Sequence, residues 1–368
     1  MKIAVLGGGN GSLAAAGDFA LAGHEVRLWR RNPADITEHA KTGNTITVRD
    51  GSGTHVGQLT LVTSDVAEAL KGAELIVCPI PAPAHADLGP VIAPHLEPGM
   101  VIYLPPGTLG TMILADAARA AGTLEGVAFA ETGTLPWLVR KHDFSEVVIS
   151  TRAVRLPTGV YPVADTERAL KVIDTAFPGV IEPCEDVLSA ALMNAGAIIH
   201  APLIMMNAAP LEHFEAWDIH NEGTQPCVRT VTDQLDAERI ALREAFGYGA
   251  PHFPLADYYR DDSEMWMYDR EARANLTDSG DWREKIDLHS HRYMMEDTRL
   301  GLSLICSMAE VAGIDVPVAR ALMTLGGAIN HQDFMQTGRP LSAVGLGGLS
   351  LDELKAAAEG KVAEGAGA

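Results

Sequence analysis

Near its start the chain carries Lys2-Ile3-Ala4-Val5-Leu6-Gly7-Gly8-Gly9-Asn10-Gly11-Ser12, in which a short apolar strand ends in a glycine-rich turn. Gly7 lets the backbone turn tightly, and Gly9 lets a pyrophosphate approach the amides that begin the next helix. Ser12 takes the third glycine position of G-x-G-x-x-G, where a small residue allows close packing of helix on sheet. The alternative is a glycine turn with a structural role only. The run predicts a dinucleotide site formed by Gly7, Gly9, Asn10, Gly11 and Ser12.

Strands and helices alternate over the first half of the chain, which predicts a parallel, doubly wound sheet. Because ligands bind beyond the carboxyl ends of such strands, the turns Pro79–Pro83 and Pro105–Gly110 should face the cofactor, with Pro81 among the contacts. A small hairpin is expected within 45–62. The other strands are predicted at 2–6, 25–29, 74–78, 101–104, 126–130, 145–155 and 180–183, and the helices at 12–22, 66–71, 84–95 and 165–176.

From Asp186 onward the chain shows helical periodicity with few strand signals. We therefore expect an NAD(P)-binding Rossmann domain at 1–185 and an all-α substrate domain at 186–368. The segment 248–289 is rich in Tyr, Trp, Asp and Met, and its weak periodicity predicts a lid or a subunit contact. The helices of the second domain are predicted at 186–208, 226–246, 290–312, 316–330 and 351–364.

The composition excludes several classes of protein. A length of 368 residues with 47% hydrophobic content suits a globular protein, and a net charge of −20 disfavours nucleic acids and anionic membranes as partners. No basic segment precedes an apolar stretch at the start, so the sequence predicts a cytoplasmic protein without a membrane span. Its four cysteines are widely scattered, and His289 and His291 should point apart, so no metal site is predicted.

Two arginines suggest the choice of dinucleotide. NAD-preferring sheets place an acid at the end of the second strand, where it binds the ribose hydroxyls. This chain has Arg30 and Arg31 there, and guanidinium groups can hold a 2′-phosphate bidentately. The sequence therefore favours NADP over NAD. The alternative is that both arginines are solvated, or that one stacks on the adenine.

Helix 186–208 carries a candidate for proton transfer. His200 is surrounded by apolar residues, and an imidazole with a pKa near neutrality suits acid/base chemistry, although a buried structural histidine is the alternative. Gly196, four residues earlier, predicts open space beside the imidazole. In the next long helix Arg292 and Glu296 could form a surface salt bridge, whereas Asp297 falls on a neighbouring face and is able to point inward.

Motifs spread over nearly the whole chain resemble the octopine/nopaline (opine) dehydrogenase family. They are Gly7 to Gly11, Glu131-Thr132, Leu135-Pro136-Trp137, Arg140, Asn194, His200, 236–241, Arg292-Tyr293, Glu296-Asp297, Gly338-Arg339 and 345–349. The resemblance implies a Rossmann domain followed by a 6-phosphogluconate-dehydrogenase-like helical domain. It also implies NAD(P)H-dependent reductive condensation of an amino acid with an α-keto acid, and the reverse oxidation.

The resemblance further implies roles for single residues. His200 is expected to be the general acid/base, Asp297 to orient it, and Arg292 to hold a substrate carboxylate, with Asn194 also contacting substrate. The family often has an amide near the Gly196 position, so glycine there is a departure. The expected partners are the two small-molecule substrates and, through the apolar helical half, a second copy of the chain in a homodimer.

Two alternatives remain open. Related reductases of a hydroxy acid or a glycerol phosphate share the first domain, but they commonly depend on a lysine in the helical domain, and helix 186–208 contains none. A protein that binds NADP as a sensor has no need of an acid/base beside a carboxylate clamp.

Overall fold

The computed structural model describes residues 1–361, and its first half is built on an eight-stranded sheet in the order β12-β11-β8-β7-β6-β1-β2-β5. Four residues of β1 are fully buried because the central strands are covered on both faces. The strands are β1 Lys2–Leu6, β2 Glu25–Trp29, β3 Thr45–Asp50, β4 Gly53–Gln58, β5 Leu61–Thr63, β6 Leu75–Val77, β7 Val101–Leu104, β8 Ala128–Thr132, β9 Trp137–Asp143, β10 Glu146–Arg152, β11 Leu156–Tyr161 and β12 Ile181–Pro183.

The prediction of an entirely parallel sheet is wrong at one edge. Six neighbouring strands of the sheet, in the order β8-β7-β6-β1-β2-β5, are parallel. At the other edge β11 pairs antiparallel with β8, and β12 pairs parallel with β11. The chain leaves β8 through the hairpin β9–β10 and returns beside β8 in the opposite direction. Strand β11 was not predicted.

A second sheet of four strands has the order β4-β3-β10-β9. Its β3–β4 half is the hairpin predicted within 45–62, and β10 is the strand predicted at 145–155, whereas β9 was not predicted. Glycines let it approach the first helix closely, since a Cβ on Gly57 would lie 2.9 Å from the carbonyl oxygen of Gly17. At the other edge of this sheet β9 also contacts the first helix, and its Lys141 N–H donates to Asn10, so β9 lies beside the glycine turn.

The predicted helices form with one important break, whereas the helices Ala34–Lys41 and Gly110–Ala121 of the first half were not predicted. The expected helix 186–208 is interrupted at 192–194, and Asn194 caps a new helix by accepting a hydrogen bond from the Gly196 N–H. The α-helices are α1 Asn10–Leu21, α2 Ala34–Lys41, α3 Val66–Leu70, α4 His85–Ile92, α5 Gly110–Ala121, α6 Thr166–Ala176, α7 Val187–Ala191, α8 Ala195–Met206, α9 Ala208–His213, α10 Pro226–Ala245, α11 Leu255–Tyr258, α12 Ala272–Asp278, α13 Leu302–Ala312, α14 Pro317–Ile329, α15 Phe334–Thr337 and α16 Leu351–Ala358.

The predicted helix 351–364 ends at Ala358, and its last residues, 362–364, lie outside the described part of the chain. One apolar stretch, Val187–Met206, could cross a membrane by length and composition alone. However, 83% of its most apolar window is buried inside the protein, as in the core helix of a soluble protein.

The helix predicted at 290–312 begins as a π-helix, Tyr293–Gly301, before continuing as α13. Its hydrogen bonds span five residues, as from the Leu302 N–H to the Asp297 carbonyl oxygen. In an α-helix, residues five apart point about 140° away from each other. The wider π-turn instead lets Arg292, Glu296 and Asp297 all face the same cavity.

Candidate active site

The glycine turn has the geometry of a phosphate site. Gly7 has a φ of +104°, and a Cβ there would lie 2.7 Å from the Ser12 hydroxyl. Gly9 caps α1 without a side-chain hydrogen bond, and a Cβ on Gly9 would meet no atom within 4 Å. The first amides of α1 therefore face open space, which fits the pyrophosphate of a dinucleotide.

Two predicted cofactor contacts instead use their side chains within the protein. Ser12 is fully buried and donates a hydrogen bond to the Leu6 carbonyl oxygen at 3.0 Å, so it contributes as a small residue that packs α1 on β1. Asn10 accepts a hydrogen bond from the Lys141 N–H at 2.9 Å. Its side chain ties β9 to the glycine turn, which leaves the backbone at this position for a phosphate.

Arg30 and Arg31 have different surroundings. Arg30 is 11% exposed, lies against Gly8, donates to the Gly7 carbonyl oxygen at 3.2 Å and pairs with Asp35 at 2.5 Å. Helix α2 thus brings a carboxylate, that of Asp35, to this pair of arginines, although no acid stands at the end of β2 itself. Arg31 is exposed and forms no ion pair within residues 1–361.

Lys141 on β9 adds a further positive charge that sequence reasoning missed. Burial lowers the pKa of Lys141, and the nearby Arg30 charge lowers it further. The ammonium also lies 4.7 Å from the centre of the Phe144 ring. The glycine turn is thus flanked by a lysine and an arginine from different elements.

A cavity of about 300 Å³ lies where the glycine turn, the two proline turns, α8 and the π-helix meet. Pro81 from the first turn lines it, as do Pro105 and Pro106 from the second. Both turns therefore line the cavity, and their contact with the cofactor stays a prediction. Of the predicted site residues, it is lined by Gly9, Asn10, Gly11, Pro81, Asn194, His200, Arg292 and Asp297.

His200 and Asp297 form a buried pair across α8 and the π-helix. Nδ1 of His200 lies 2.7 Å from an oxygen of Asp297, and the imidazole stacks on the Tyr293 ring at 3.8 Å. Burial lowers the pKa of His200, and the Arg292 charge lowers it further. Burial raises the pKa of Asp297, although Arg292 opposes that shift. The pairing fixes the imidazole and leaves its Nε2 for a substrate.

Arg292 is a cation available to a ligand. Its side chain lines the cavity and forms no ion pair within residues 1–361. Burial opposes its charge, but the neighbouring Tyr293 and Asp297 raise the pKa of Arg292, so it stays protonated. The surface salt bridge to Glu296 does not form, because Glu296 accepts a hydrogen bond from the Ala82 N–H at 2.7 Å.

The open space expected beside Gly196 is absent, because Asp297 fills it. A Cβ at this position would lie 2.4 Å from Oδ1 of Asp297 and 3.2 Å from Oδ1 of Asn194. Glycine does not enlarge the pocket here. It lets the carboxylate approach α8 closely enough to reach His200.

We expect Gly196→Ala to lower kcat by about 10- to 100-fold, because a shift of the orienting carboxylate of that kind disturbs proton transfer. The melting temperature should change by only a few degrees, since the gain of up to about 1 kcal/mol from alanine in a helix is offset by the displacement of the buried Asp297 carboxylate. Steady-state kinetics and a thermal melt on one preparation check both. Wild-type turnover would contradict the role assigned to the Gly196–Asp297 contact.

Asn194 serves the fold with both polar atoms. Its oxygen accepts from the Gly196 N–H at 2.9 Å, and its nitrogen donates to the Thr108 hydroxyl at 2.9 Å. Asn194 lines the cavity, and its contact with substrate stays a prediction.

Arg339 holds the two proline turns together. Its guanidinium is 5% exposed and donates to the carbonyl oxygens of Ala82 at 2.6 Å and of Thr108 at 2.8 Å. Burial lowers the pKa of Arg339 to about 10, although Glu131 opposes the shift. The Arg339 N–H donates to the Ser303 hydroxyl at 2.7 Å, so this arginine links both cofactor-facing turns to α13.

Two features of the cavity were not predicted from the sequence. They are His220 and the aromatic residues that the segment 248–289 contributes to the lining. His220 lies 5.6 Å from His200, centre to centre, and its buried Nε2 has no partner within the described residues. The segment predicted as a lid or subunit contact forms part of the cavity lining. The only available signal for this was its high content of Tyr and Trp.

The sequence of this chain matches known dehydrogenases over both of its halves. Residues 183–330 match the family described as NAD/NADP octopine/nopaline dehydrogenase, alpha-helical domain. Residues 2–103 match the NAD-dependent glycerol-3-phosphate dehydrogenase N-terminus. The opine dehydrogenase of Arthrobacter sp. (strain 1C) is 30% identical over 361 residues, which cover 97% of this chain and 98% of that protein.

Solved structures show the same fold. An octopine dehydrogenase in complex with NADH and agmatine has a TM-score of 0.73 at 18% identity and covers 99% of both chains. An NADP⁺-bound yersinopine dehydrogenase has a TM-score of 0.64 at 13% identity, covering 98% of this chain and 97% of that one. The expected Rossmann sheet followed by a helical half is confirmed. The chain therefore belongs to the opine dehydrogenase family and is an NAD(P)-dependent dehydrogenase that acts on the CH–NH group of secondary amines.

Proposed function

We propose that this chain uses NADPH to join the amino group of an amino acid to the carbonyl carbon of an α-keto acid such as pyruvate, and that it catalyses the reverse oxidation. In the forward direction an amino acid in its ammonium form, a keto acid, NADPH and one proton give a secondary ammonium dicarboxylate, NADP⁺ and water. The observation that carries the proposal is the meeting of the His200–Asp297 pair and the unpaired Arg292 in the cavity beside the glycine turn.

His200 moves the proton. With Nδ1 on Asp297, Nε2 donates to the carbonyl oxygen as the amine adds and water leaves, and it accepts a proton when the reaction is reversed. Asp297 holds the tautomer and stabilises the imidazolium. The bound cofactor supplies the hydride that reduces the imine carbon.

Arg292 orients the substrates. A guanidinium matches a carboxylate in geometry, and both substrates carry one. No carboxylate of the described chain occupies Arg292, so its charge is available in the cavity. The Arg292 charge lowers the pKa of His200, and a substrate carboxylate bound to Arg292 offsets that shift. Binding of substrate therefore favours the protonated form of His200, which is the form that donates the proton.

The preference for NADPH is supported by Arg30, Arg31 and Lys141 around the glycine turn. The pairing of Asp35 with Arg30 weakens this support, because it neutralises one of the three charges. The ratio of kcat/KM for NADPH to that for NADH measures the preference. A clear preference for NADH would contradict it.

The reaction is tested by following NADPH loss with pyruvate, oxaloacetate or 2-oxoglutarate against a panel of amino acids. We expect oxidation only when both partners are present, with the secondary amine found by mass spectrometry. Oxidation with the keto acid alone would favour a hydroxy-acid dehydrogenase. No lysine lines the cavity among residues 1–361, which agrees with the opine reaction rather than that alternative.

The pH dependence of opine oxidation should depend on Arg292. Its positive charge lowers the pKa of both His200 and Asp297, so removing it makes their protonated forms easier to populate. In Arg292→Gln we expect the acid limb of kcat/KM to move to higher pH. Arg273→Gln is the matched control, because Arg273 lines the same cavity but is not among the groups that shift these two residues. An unmoved acid limb in Arg292→Gln would refute the coupling.

Three further expectations belong to this proposal. We infer a domain boundary near residue 185, between β12 and α7, and a cytoplasmic location. A homodimer stays a prediction, and light scattering with the purified chain measures it.

A further inference from the structure

Seven residues of the stretch 258–282 line one part of the cavity; one of them is Arg273, and of the six uncharged ones five are aromatic. We call this surface the aromatic wall; it consists of Tyr258, Tyr259, Trp266, Tyr268, Leu276 and Trp282. Leu135, Trp137 and Leu138 line the same cavity and add apolar surface.

The wall presents ring surface because several of its polar atoms bond elsewhere. The Trp266 indole N–H donates to the Phe253 carbonyl oxygen at 3.0 Å, and the Tyr268 hydroxyl donates to the Leu135 carbonyl oxygen. The Trp137 indole N–H likewise donates to Asp18 at 2.6 Å. The buried Trp282 indole nitrogen has no hydrogen-bond partner within the described residues, so the wall keeps one unused donor. A side chain placed here therefore meets mainly ring surface, and a charged end would lose more hydration than this one donor can replace.

The charges around the wall also exclude a cationic side chain. Among the described residues, the only carboxylates that line the cavity are Glu296 and Asp297, and both are already hydrogen-bonded. Arg273 lines the cavity as well. A guanidinium or ammonium on the wall would therefore meet the like charge of Arg273, while Asp297 is engaged by His200 and Glu296 by the Ala82 N–H.

The protein's own arginines occupy the cation-binding ring faces. Arg140 lies 3.9 Å from the centre of a Trp282 ring, while Arg229 and Arg273 lie 4.3 and 5.3 Å from the Tyr259 ring. An aromatic surface can bind a cation through its ring faces, but here two of its rings already do so internally.

We propose that the amino donor is an amino acid with an apolar or aromatic side chain, which packs on the aromatic wall while Arg292 holds a carboxylate. The inference rests on the proposed function, because it concerns the amino-acid partner of that reaction. Burial of each added methylene on such a surface raises kcat/KM by about fourfold.

The first experiment measures kcat/KM with NADPH and saturating keto acid for alanine, norvaline, norleucine, methionine and phenylalanine, and for arginine, lysine, aspartate and glutamate. We expect a steady rise with apolar chain length and a preference of about 100-fold for the apolar donors over arginine and lysine. The preference over aspartate and glutamate should be smaller, because Arg273 can attract their side-chain carboxylates. A charged donor used as well as phenylalanine overturns the inference and leaves the proposed function standing. Oxidation with the keto acid alone overturns both.

The second experiment changes the charge beside the wall. Arg273 is exposed and forms no ion pair within the described chain, so Arg273→Glu and its neutral control Arg273→Gln should both fold. We expect the ratio of kcat/KM for arginine to that for phenylalanine to rise about tenfold or more in Arg273→Glu and clearly less in Arg273→Gln. Equal ratios in the two variants would show that charge at the wall does not select the donor, which overturns the inference.

Discussion

His200→Ala is expected to lower kcat by about 10³-fold, because it removes the proton donor and acceptor of the reaction. The dissociation constant of NADPH should stay within about twofold of the wild-type value, since the glycine turn that faces the pyrophosphate contacts neither His200 nor its partner. Single-turnover kinetics and fluorescence titration with NADPH separate the two effects. Added imidazole should restore part of the turnover by entering the space left by the side chain.

His220→Phe is the matched control for this variant. His220 lines the same cavity and lies 5.6 Å from His200, but it has no bond to Asp297. We expect it to keep turnover within about tenfold of wild type, because phenylalanine preserves the ring contact with His200. If His200→Ala retained a third or more of the wild-type kcat, another group would have to carry the proton.

Asp297→Asn is expected to lower kcat by about 10²- to 10⁴-fold while the fold persists. The amide keeps the size of the side chain but cannot stabilise an imidazolium, and its N–H₂ end favours the wrong tautomer. The loss should appear in both reaction directions, since His200 acts as acid in one and as base in the other. Steady-state kinetics of condensation and of opine oxidation provide the measurement.

Glu296→Gln is the control for Asp297→Asn, because it neutralises the adjacent carboxylate. Glu296 lines the same cavity, but it accepts from the Ala82 N–H and does not reach His200. We expect a loss of less than about tenfold, from a weaker hold on the first proline turn. Comparable losses in the two variants would mean that carboxylate charge in general, rather than the pairing with Nδ1, supports catalysis.

The features that depend on residues close together in the sequence could be predicted. The strand, the glycine turn and the following helix are local, and the hairpin within 45–62 follows from residue composition. His200 and Asp297 required the family resemblance, because they are 97 residues apart and no periodicity places them in contact.

The remaining features depend on contacts that the sequence does not encode locally. The π-helix was expected as an ordinary helix, since its composition is normal and its wider turns depend on packing, including Gly301 against Ala197. The space beside Gly196 was expected to be open because the spacing of residues within α8 carries no information about the π-helix that packs against it and brings Asp297 there. Asp35 reaches Arg30 only through the position of α2, and the break at Asn194 depends on its bond to Thr108.

The guanidinium of Arg339 has a consequence for how this enzyme can change. By bonding to Ala82 and Thr108 from the helical half, one side chain fastens both proline turns of the cavity to the half of the chain that carries His200. The aromatic wall has no part in that bond. Substitutions in 258–282 can therefore change the surface that the cavity presents to an amine while the link that Arg339 makes between the two halves is left intact.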